Sequence, residues 1–250
     1  SERLHHEFQL DGFVSLPGFF DEEEVASLVE HKERFIRDVV PTMPETEVYY
    51  DDKDDPSTLK QLQKLGDYDE FFGTLIAPES KLARLAGICL AEPARPVNLQ
   101  YFNKPPTVST PTPPHQDGFY FCLKPCNAIT MWIALEDITP EQGCVNYVQG
   151  SHRYGMRAHG SSGTLGFSQS ILDFGLPHDR ENAKSFPCRA GHVLAHHSLT
   201  IHWADGNTSG DRTREALGAV FFGTSCEEDV ETKRAYQARL DAELAAAGKI

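Results

Sequence analysis

Apolar residues in the first part of the chain recur mostly at helical spacing. Between residues 21 and 39 they form a stripe on one helical face: Val25, Leu28, Val29, Phe35 and Val39. Asp21 stands before three glutamates, and acidic residues at this point suit the positive end of a helix dipole. Residues 13–16 are typical of a short strand, and about 57–65 and about 78–90 are predicted as two further helices. Together these elements predict a helical flank over about residues 19–92.

The pattern changes at about residue 95, where runs of strand length follow one another. They are PVNLQYF, GFYFCL, NAITMWIALEDI, CVNYVQG, GHVLAHHSLTIHW and ALGAVFFG, with Gly-, Pro- or Asp-rich turns between them. The proline-rich stretch KPPTVSTPTPP cannot form regular structure, and residues 155–185 are predicted to be a long lid or binding loop. A polar helix is predicted over about 227–248. We expect a single mainly β domain over 1–250, with its core at about 95–225.

Composition and charge restrict the class of protein. The 250 residues are 40% hydrophobic, and the net charge of −14 argues against nucleic acid or an anionic membrane as the main partner. No stretch approaches the about 18 apolar residues that a membrane span needs. The six cysteines are scattered without a CxxC pair, which favours reduced thiols in a cytoplasmic protein. We expect a small-molecule substrate, and a monomer or a weak homodimer.

One tripeptide indicates metal chemistry. His115 and Asp117 flank Gln116 at the start of a predicted strand, where residues i and i+2 point to the same face. Candidates for a third ligand lie around a later apolar strand: His196, His197 and His202. Two histidines and one carboxylate form the facial triad of non-heme Fe(II) oxygenases. An arginine in the loop after His202 could grip the free carboxylate of a co-substrate with the shape of 2-oxoglutarate.

Six pieces of the chain, in order, resemble the phytanoyl-CoA dioxygenase family of Fe(II)/2-oxoglutarate oxygenases. They are DGFVSLPGFF, LQYFNKPP, PPHQDGFYF, TMWIALEDITPEQGCVNYVQGSHRYG, AGHVLAHHSLTIHWADGN and RTREALGAVFFG. Six pieces in the right order are a far stronger signal than any one of them. The resemblance implies a double-stranded β-helix (jelly roll, cupin-like) with flanking N-terminal helices and a C-terminal helix.

The resemblance also implies a set of iron ligands. The histidine and acid of the family's HxD motif match His115 and Asp117, and the distal histidine matches His202. His196 and His197 are then expected to be structural or lining residues of the strand. Halogenases of this superfamily carry a small residue in place of the acid, so the presence of Asp117 favours hydroxylation.

A co-substrate site follows from the same resemblance. The arginine that holds 2-oxoglutarate matches Arg214, two residues before the alanine that opens the last strand, and Arg212 is the competitor. Further co-substrate contacts are expected at Gln100, Thr130, Trp132 and Lys60, with Lys64 as the alternative to Lys60. A serine commonly stands two residues after the distal histidine, and here it is Ala204. Thr208 or Ser209 is the expected replacement for its hydroxyl.

The implied activity is hydroxylation of a C–H bond in a small, polar or anionic metabolite, with release of succinate and CO2 from 2-oxoglutarate and O2. The expected substrate contacts are Phe119, Tyr120, Asn146, Arg153 and Arg157, whose arginines suit an anionic group. The acidic net charge disfavours a coenzyme A thioester.

The main alternative is a catalytically silent sensor that binds 2-oxoglutarate and metal on the same fold. A metal hydrolase and a purely structural jelly roll are weaker alternatives, because no hydrolase motif supports the first and the motif order opposes the second.

Overall fold

The computed structural model describes residues 1–106, 110–164 and 167–246. Within these ranges the α-helices are α1 Glu2–Asp11, α2 Glu22–Asp38, α3 Leu65–Tyr68, α4 Glu70–Leu75, α5 Lys81–Leu90, α6 Gly118–Phe121, α7 Pro177–Glu181 and α8 Val230–Ala246. The strands are β1 Phe13–Leu16, β2 Val48–Tyr50, β3 Leu59–Leu62, β4 Ala94–Asn103, β5 Thr112–His115, β6 Leu123–Lys124, β7 Ala128–Ala134, β8 Val145–Val148, β9 His159–Thr164, β10 Phe167–Ile171, β11 Ala183–Phe186, β12 Val193–His197, β13 His202–Ala204, β14 Glu215–Gly223 and β15 Glu227–Glu228.

Two antiparallel sheets organise the described strands. The larger sheet has the order β1-β12-β7-β14-β4-β3-β2, and the smaller has the order β11-β8-β13-β5. Two short pairs join β9 to β10 and β6 to β15. Sequence neighbours are often not sheet neighbours, as in a double-stranded β-helix, and the predicted fold class is confirmed. The proposal of a single domain with its core at about 95–225 stays a prediction.

The larger sheet has one face toward the helices and one toward the site. On β4, Leu99 and Tyr101 are buried in the main core with side chains of α1, α2 and α5. The alternate residues Asn98, Gln100 and Phe102 line a cleft on the opposite face. This division follows from the two-residue period of a strand. One strand thereby serves both the core and the site.

Helix α2 is confirmed close to its predicted bounds. The backbone N–H of Glu24 donates to Asp21 Oδ1 at 2.9 Å, and the Asp21 N–H donates to Glu24 Oε2 at 3.0 Å. This reciprocal capping box satisfies two backbone donors that a helix start leaves unpaired. The predicted helix over about 78–90 corresponds to α5, which Ser80 caps.

The predicted helix over about 57–65 is wrong. A single 3-10 turn, Pro56–Thr58, leads into β3, which pairs with β4 in the register Gln61 to Phe102 and Leu62 to Tyr101. This pairing joins residues about forty positions apart, and local spacing does not reveal it. The predicted helical flank therefore also supplies two strands, β2 and β3, to the larger sheet.

Two other segments differ from expectation. The predicted loop over 155–185 contains the β9–β10 hairpin, α7 and the start of β11, which pairs with β8; residues 165–166 of that prediction lie outside the described residues. Helix α1 was not predicted, because its residues are mostly polar and only Phe8 is buried. The C-terminal helix is confirmed as α8, whereas residues 247–248 of its predicted span lie outside the described ranges. None of the described helices is both long and apolar enough to span a bilayer.

Candidate metal centre and adjoining pockets

One strand pairing and one turn assemble the metal-ligand set. His115 ends β5 and His202 begins β13, and the antiparallel register places them directly opposite each other. Asp117 Oδ1 lies 3.5 Å from Nε2 of His115 and 3.5 Å from Nε2 of His202. The three predicted ligands therefore form one cluster, with ligand atoms all within 4.8 Å of one another.

Asp117 reaches this cluster by a turn and not by strand alternation. His115 is the last residue of its strand, whereas it was predicted near a strand's start. The predicted strand GFYFCL begins as the helical turn α6, in which the Tyr120 N–H donates to Asp117 O at 2.9 Å. The Gly118 N–H donates to Ser198 O at 2.8 Å, which ties the turn to the segment after β12. Long-range hydrogen bonding thus decides the local structure here.

Backbone carbonyl groups orient both imidazoles. Nδ1 of His115 lies 2.7 Å from Pro113 O, and Nδ1 of His202 lies 3.0 Å from Thr200 O. A carbonyl oxygen only accepts, so each Nδ1 carries the proton and each Nε2 presents a lone pair. Two lone pairs and one carboxylate oxygen then face a single point, where they repel one another unless a cation lies between them. The donor set therefore fits a metal ion, and its composition suits Fe(II).

A second set of hydrogen bonds holds the Asp117 carboxylate. Its Oδ2 accepts from Thr130 Oγ1 at 2.6 Å and from His196 Nε2 at 3.0 Å. The Tyr147 hydroxyl donates to His196 Nδ1 at 2.9 Å, which keeps the proton of the neutral ring on Nε2. Oδ2 is thus occupied by protein donors, and Oδ1 is left to face the metal position.

The protonation states match metal binding. Burial raises the pKa of Asp117, but His202, His115 and His196 outweigh burial and leave this pKa well below its usual value. Burial, followed by the neighbouring His115 and His196, lowers the pKa of His202 well below its usual value. Asp117 is therefore ionised and His202 neutral near neutral pH, the states that ligation requires.

A buried pocket leads from the triad to Arg214. Trp132, Phe102 and Val145 supply apolar walls, and the guanidinium carbon of Arg214 lies 5.6 Å from the centre of the Trp132 ring. Arg214 is only 4% exposed, and its Nε has no hydrogen-bond partner among the described residues. Burial lowers the pKa of Arg214 to about 10, so it remains a cation. A buried cation with an unused donor fits the distal carboxylate of 2-oxoglutarate.

Two lysines share this end of the pocket with Arg214. Lys60 Nζ donates to Asp51 Oδ1 at 3.1 Å and to Thr110 Oγ1 at 2.7 Å. Lys104 Nζ donates to the Thr110 carbonyl at 2.6 Å, and burial, followed by the charges of Arg214 and Lys60, lowers the pKa of Lys104 to about 6. Lys104 was not among the residues expected at the co-substrate site; its place directly after β4, close to the predicted Gln100, was the available signal.

Comparison with known proteins identifies the family. A model of phytanoyl-CoA dioxygenase (PhyH) matches residues 8–216. The chain belongs to the phytanoyl-CoA dioxygenase family. With its His-Asp-His triad intact, it is an enzyme of the Fe(II)/2-oxoglutarate-dependent oxygenase class.

Three proteins are similar to this chain over most of its length. The rat phytanoyl-CoA dioxygenase domain-containing protein 1 is 25% identical over 84% of this chain and 85% of its own length. A probable alpha-ketoglutarate-dependent hypophosphite dioxygenase of Stutzerimonas stutzeri is 26% identical over 82% of this chain and 73% of its own length. The epimerase SnoN, in its crystal structure with Fe3+, alpha ketoglutarate and nogalamycin RO, is 26% identical in sequence to this chain and superposes with a TM-score of 0.73. The match covers 91% of this chain and 85% of the SnoN chain.

The alternatives left open for the co-substrate site occupy different places. Arg214 and Lys60 line the buried pocket. Arg212 is on the surface, 3.3 Å from Glu141 Oε2, and Lys64 is paired with Glu47 at 2.7 Å on the rim of a wider cleft. The hydroxyl groups of Thr208 and Ser209 bond within or beside their own loop, so neither replaces the serine hydroxyl at the Ala204 position.

A wider cleft of about 630 Å³ opens on the other side of the triad. Phe102 lines both the buried pocket and this cleft, and its ring lies over Gly218. A Cβ at Gly218 would lie 2.6 Å from Phe102 Cε2, so a glycine is required there for the ring to lie flat on β14. Of the other predicted co-substrate residues, Thr130 lines both spaces, Trp132 lines the pocket and Gln100 lines the cleft.

The predicted substrate contacts are mostly elsewhere. Tyr120 lines the wider cleft, but Phe119 stacks on His159 at 4.5 Å between ring centres and lines neither space. Asn146 faces away, because its amide bonds Cys144 O and Ser185 while the adjacent Tyr147 faces the triad. Arg153 is on the surface. Arg157 Nη1 donates to both carboxylate oxygens of Asp179, at 2.8 and 2.9 Å, and another part of its guanidinium pairs with Asp173.

His196, which was expected to be a structural or lining residue, lines the buried pocket and also contacts the Asp117 carboxylate. We predict that His196→Phe raises the dissociation constant for Fe(II) by about 10- to 100-fold, because Asp117 Oδ2 loses a donor and the carboxylate can rotate. His196→Gln, which keeps an N–H donor at similar reach, is expected to recover most of the affinity. Anaerobic isothermal titration of the metal-free protein with Fe(II) measures both values.

His197 is the matched control for this prediction. It adjoins His196 on β12, and its ring contacts Phe8 and His152 on the side away from the triad's strand pairing. His197→Phe is expected to bind Fe(II) within about threefold of the unmodified protein. Equal losses in the His196 and His197 variants would show that only the packing of β12 matters.

Proposed function

We propose that this oxygenase hydroxylates a C–H bond of a small-molecule substrate, converting 2-oxoglutarate and O2 into succinate and CO2. The observation that carries the proposal is the buried pocket between the triad and Arg214, whose Nε has no partner among the described residues. An unpaired buried cation is costly, so a ligand carboxylate at this point is strongly favoured. The pocket has the three metal ligands at one end and the positive charge of Arg214 at the other.

Each part of the chain has a separate task in this proposal. His115, Asp117 and His202 hold the iron, and Thr130 and His196 keep the Asp117 carboxylate in one orientation. When bound, iron and 2-oxoglutarate supply the oxidising chemistry of the reaction. Arg214 binds the distal carboxylate, and the apolar walls exclude water from this ion pair, which strengthens it. Because Asp117 fills the third protein position, hydroxylation is favoured over halogenation.

Turnover is favoured over a silent sensor by the wider cleft. His115 and Asp117 line the cleft as well as the buried pocket, so a second molecule has access to the same metal position. The six free cysteines agree with a reducing compartment, and we propose a cytoplasmic location. A monomer or a weak homodimer remains our prediction for the assembly.

The co-substrate assignment is tested by comparing two neighbouring arginines. Anaerobic addition of Fe(II) and 2-oxoglutarate is expected to give the weak visible charge-transfer band of the chelate, and Asp117→Ala is expected to abolish it. Arg214→Gln should weaken 2-oxoglutarate binding by about 30-fold or more, since removing one member of a buried charge pair costs about 2–5 kcal/mol. Titration of the band with 2-oxoglutarate measures the dissociation constant.

Arg212→Gln is the control, because Arg212 is exposed and pairs with a surface carboxylate. It should bind 2-oxoglutarate within about twofold of the unmodified protein. A loss with Arg212→Gln but not with Arg214→Gln would overturn the assignment. Failure of the band to form in folded, iron-loaded protein would overturn the proposed function itself.

The lowered pKa of Lys104 predicts that 2-oxoglutarate binding is linked to proton uptake. Its pKa of about 6 leaves it mostly neutral at pH 7.5, and a carboxylate bound nearby raises that pKa. Binding of 2-oxoglutarate at pH 7.5 should therefore take up as much as one proton, and the uptake should decrease as the pH falls through about 6, where free Lys104 itself becomes protonated. Calorimetry in buffers of different ionisation enthalpy measures this uptake. Lys104→Met should abolish it, and unchanged uptake in that variant would exclude Lys104 as the source.

A further inference from the structure

Four amide side chains line the wider cleft as two hydrogen-bonded pairs on neighbouring strands, and together we call them the amide row. Gln61 and Gln63 belong to β3 and the residue after it, and Asn98 and Gln100 face the same side of the neighbouring β4. Gln61 Nε2 donates to Gln100 Oε1 at 3.0 Å, and Asn98 Nδ2 donates to Gln63 Oε1 at 2.9 Å. An amide both donates and accepts, so this row offers hydrogen bonds of both kinds without a net charge.

One atom of this row lacks a protein partner. Gln61 is only 2% exposed, and its Oε1 accepts no hydrogen bond from the described residues. Its nitrogen is already committed to Gln100, so the open position is an acceptor. A buried acceptor without a partner is unfavourable, because it has lost its hydrogen bonds to water. A ligand hydroxyl or N–H group would remove that cost, and a carboxylate could not.

The charges of the cleft also oppose an anionic substrate. Lys64 pairs with Glu47 at 2.7 Å, and Lys233 pairs with Glu228. An anion bound by either lysine would compete with a carboxylate already in place. Arg157, which the sequence suggested for an anionic group, is committed to Asp173 and Asp179. The expectation of an anionic metabolite therefore has no support among the described lining residues.

The wall opposite the amides is aromatic. Tyr120 of α6 and Tyr236 of α8 lie 6.0 Å apart between ring centres, at an angle of 75°, and Phe121 lines the cleft beside them. Aromatic faces pack against flat apolar surfaces such as the C–H face of a sugar ring. The cleft volume of about 630 Å³ is within the range of sites for drug-sized ligands, about 300–1,000 Å³. A metabolite of two or three carbons would leave most of it unfilled.

We propose that the substrate is an uncharged, hydroxyl-rich ring compound of glycoside type, bound between the amide row and the tyrosine wall. This inference rests on the proposed oxygenase function, because it assigns the molecule that enters beside the iron position. It replaces the small anionic metabolite with a larger neutral one. Gln61 Oε1 accepts from a substrate hydroxyl, and Tyr120 and Tyr236 pack against the less polar face of the ring.

The test compares neutral and anionic probes of the same shape. Protein loaded anaerobically with Fe(II) and 2-oxoglutarate is first checked for the chelate band. It is then titrated calorimetrically with the p-nitrophenyl glycosides of glucose, galactose and mannose, and with p-nitrophenyl glucuronide, in which a carboxylate replaces the C6 hydroxymethyl group of the glucoside. At least one neutral glycoside is expected to bind at least tenfold more tightly than the glucuronide.

Variants of two glutamines complete the test. Gln61→Leu should weaken binding of the preferred neutral glycoside by at least tenfold, with the chelate band as the check that the variant is folded. Gln149→Leu is the matched control, because Gln149 lies outside the cleft and bonds Asp11; it should bind the glycoside like the unmodified protein. The proposal is overturned if band-forming protein binds no neutral glycoside, binds the glucuronide as tightly, or is insensitive to Gln61→Leu. Absence of the band would instead be a failure of the underlying oxygenase function.

Discussion

The site depends on one interaction, the mutual repulsion of the three hydrogen-bond acceptors that face the metal position. Backbone carbonyl groups fix the tautomers of His115 and His202, so both rings direct lone pairs at Asp117 Oδ1. A site of this kind is stable only with a cation in its centre. The strands that hold it must therefore be rigid, and the packing of α1, α2 and α5 on the larger sheet supplies that rigidity. Iron binding and folding are linked for the same reason.

Charge is distributed so that the two spaces around the triad receive different molecules. Arg214 and Lys60 place positive charge at the end of the buried pocket, where Asp51 pairs with Lys60. In the wider cleft, the two lysines pair with carboxylates, and amide side chains form part of the lining. A dicarboxylate is thus directed to one side of the iron position and a neutral molecule to the other. Phe102, resting on Gly218, is the partition between them.

How much the sequence can predict depends on the range of the interaction. The HxD spacing and the start of α2 at Asp21 depend on a few neighbouring residues, and both were predicted from them. The choice of His202 over His196 and His197 came from the family resemblance. The strand β3 was not, because its pairing partner β4 lies about forty residues away. The contact of His196 with Asp117 depends on the register that sets His196 opposite Thr130. Likewise, Asn146 and Tyr147 differ by one position on β8, and only the register decides which of them faces the triad.

The C-terminal helix α8 contributes to the cleft lining, whereas the residues that carry the family's chemistry lie in other elements. The iron ligands and Arg214 lie inside residues 8–216, the span shared with the family, whereas Lys233, Tyr236 and Gln237 of the cleft wall lie beyond it. Substitutions in that helix can change which molecules fit without disturbing the metal or its co-substrate. Relatives with the same triad therefore need not share a substrate. Their preferences are expected to differ through the α8 residues that line the cleft.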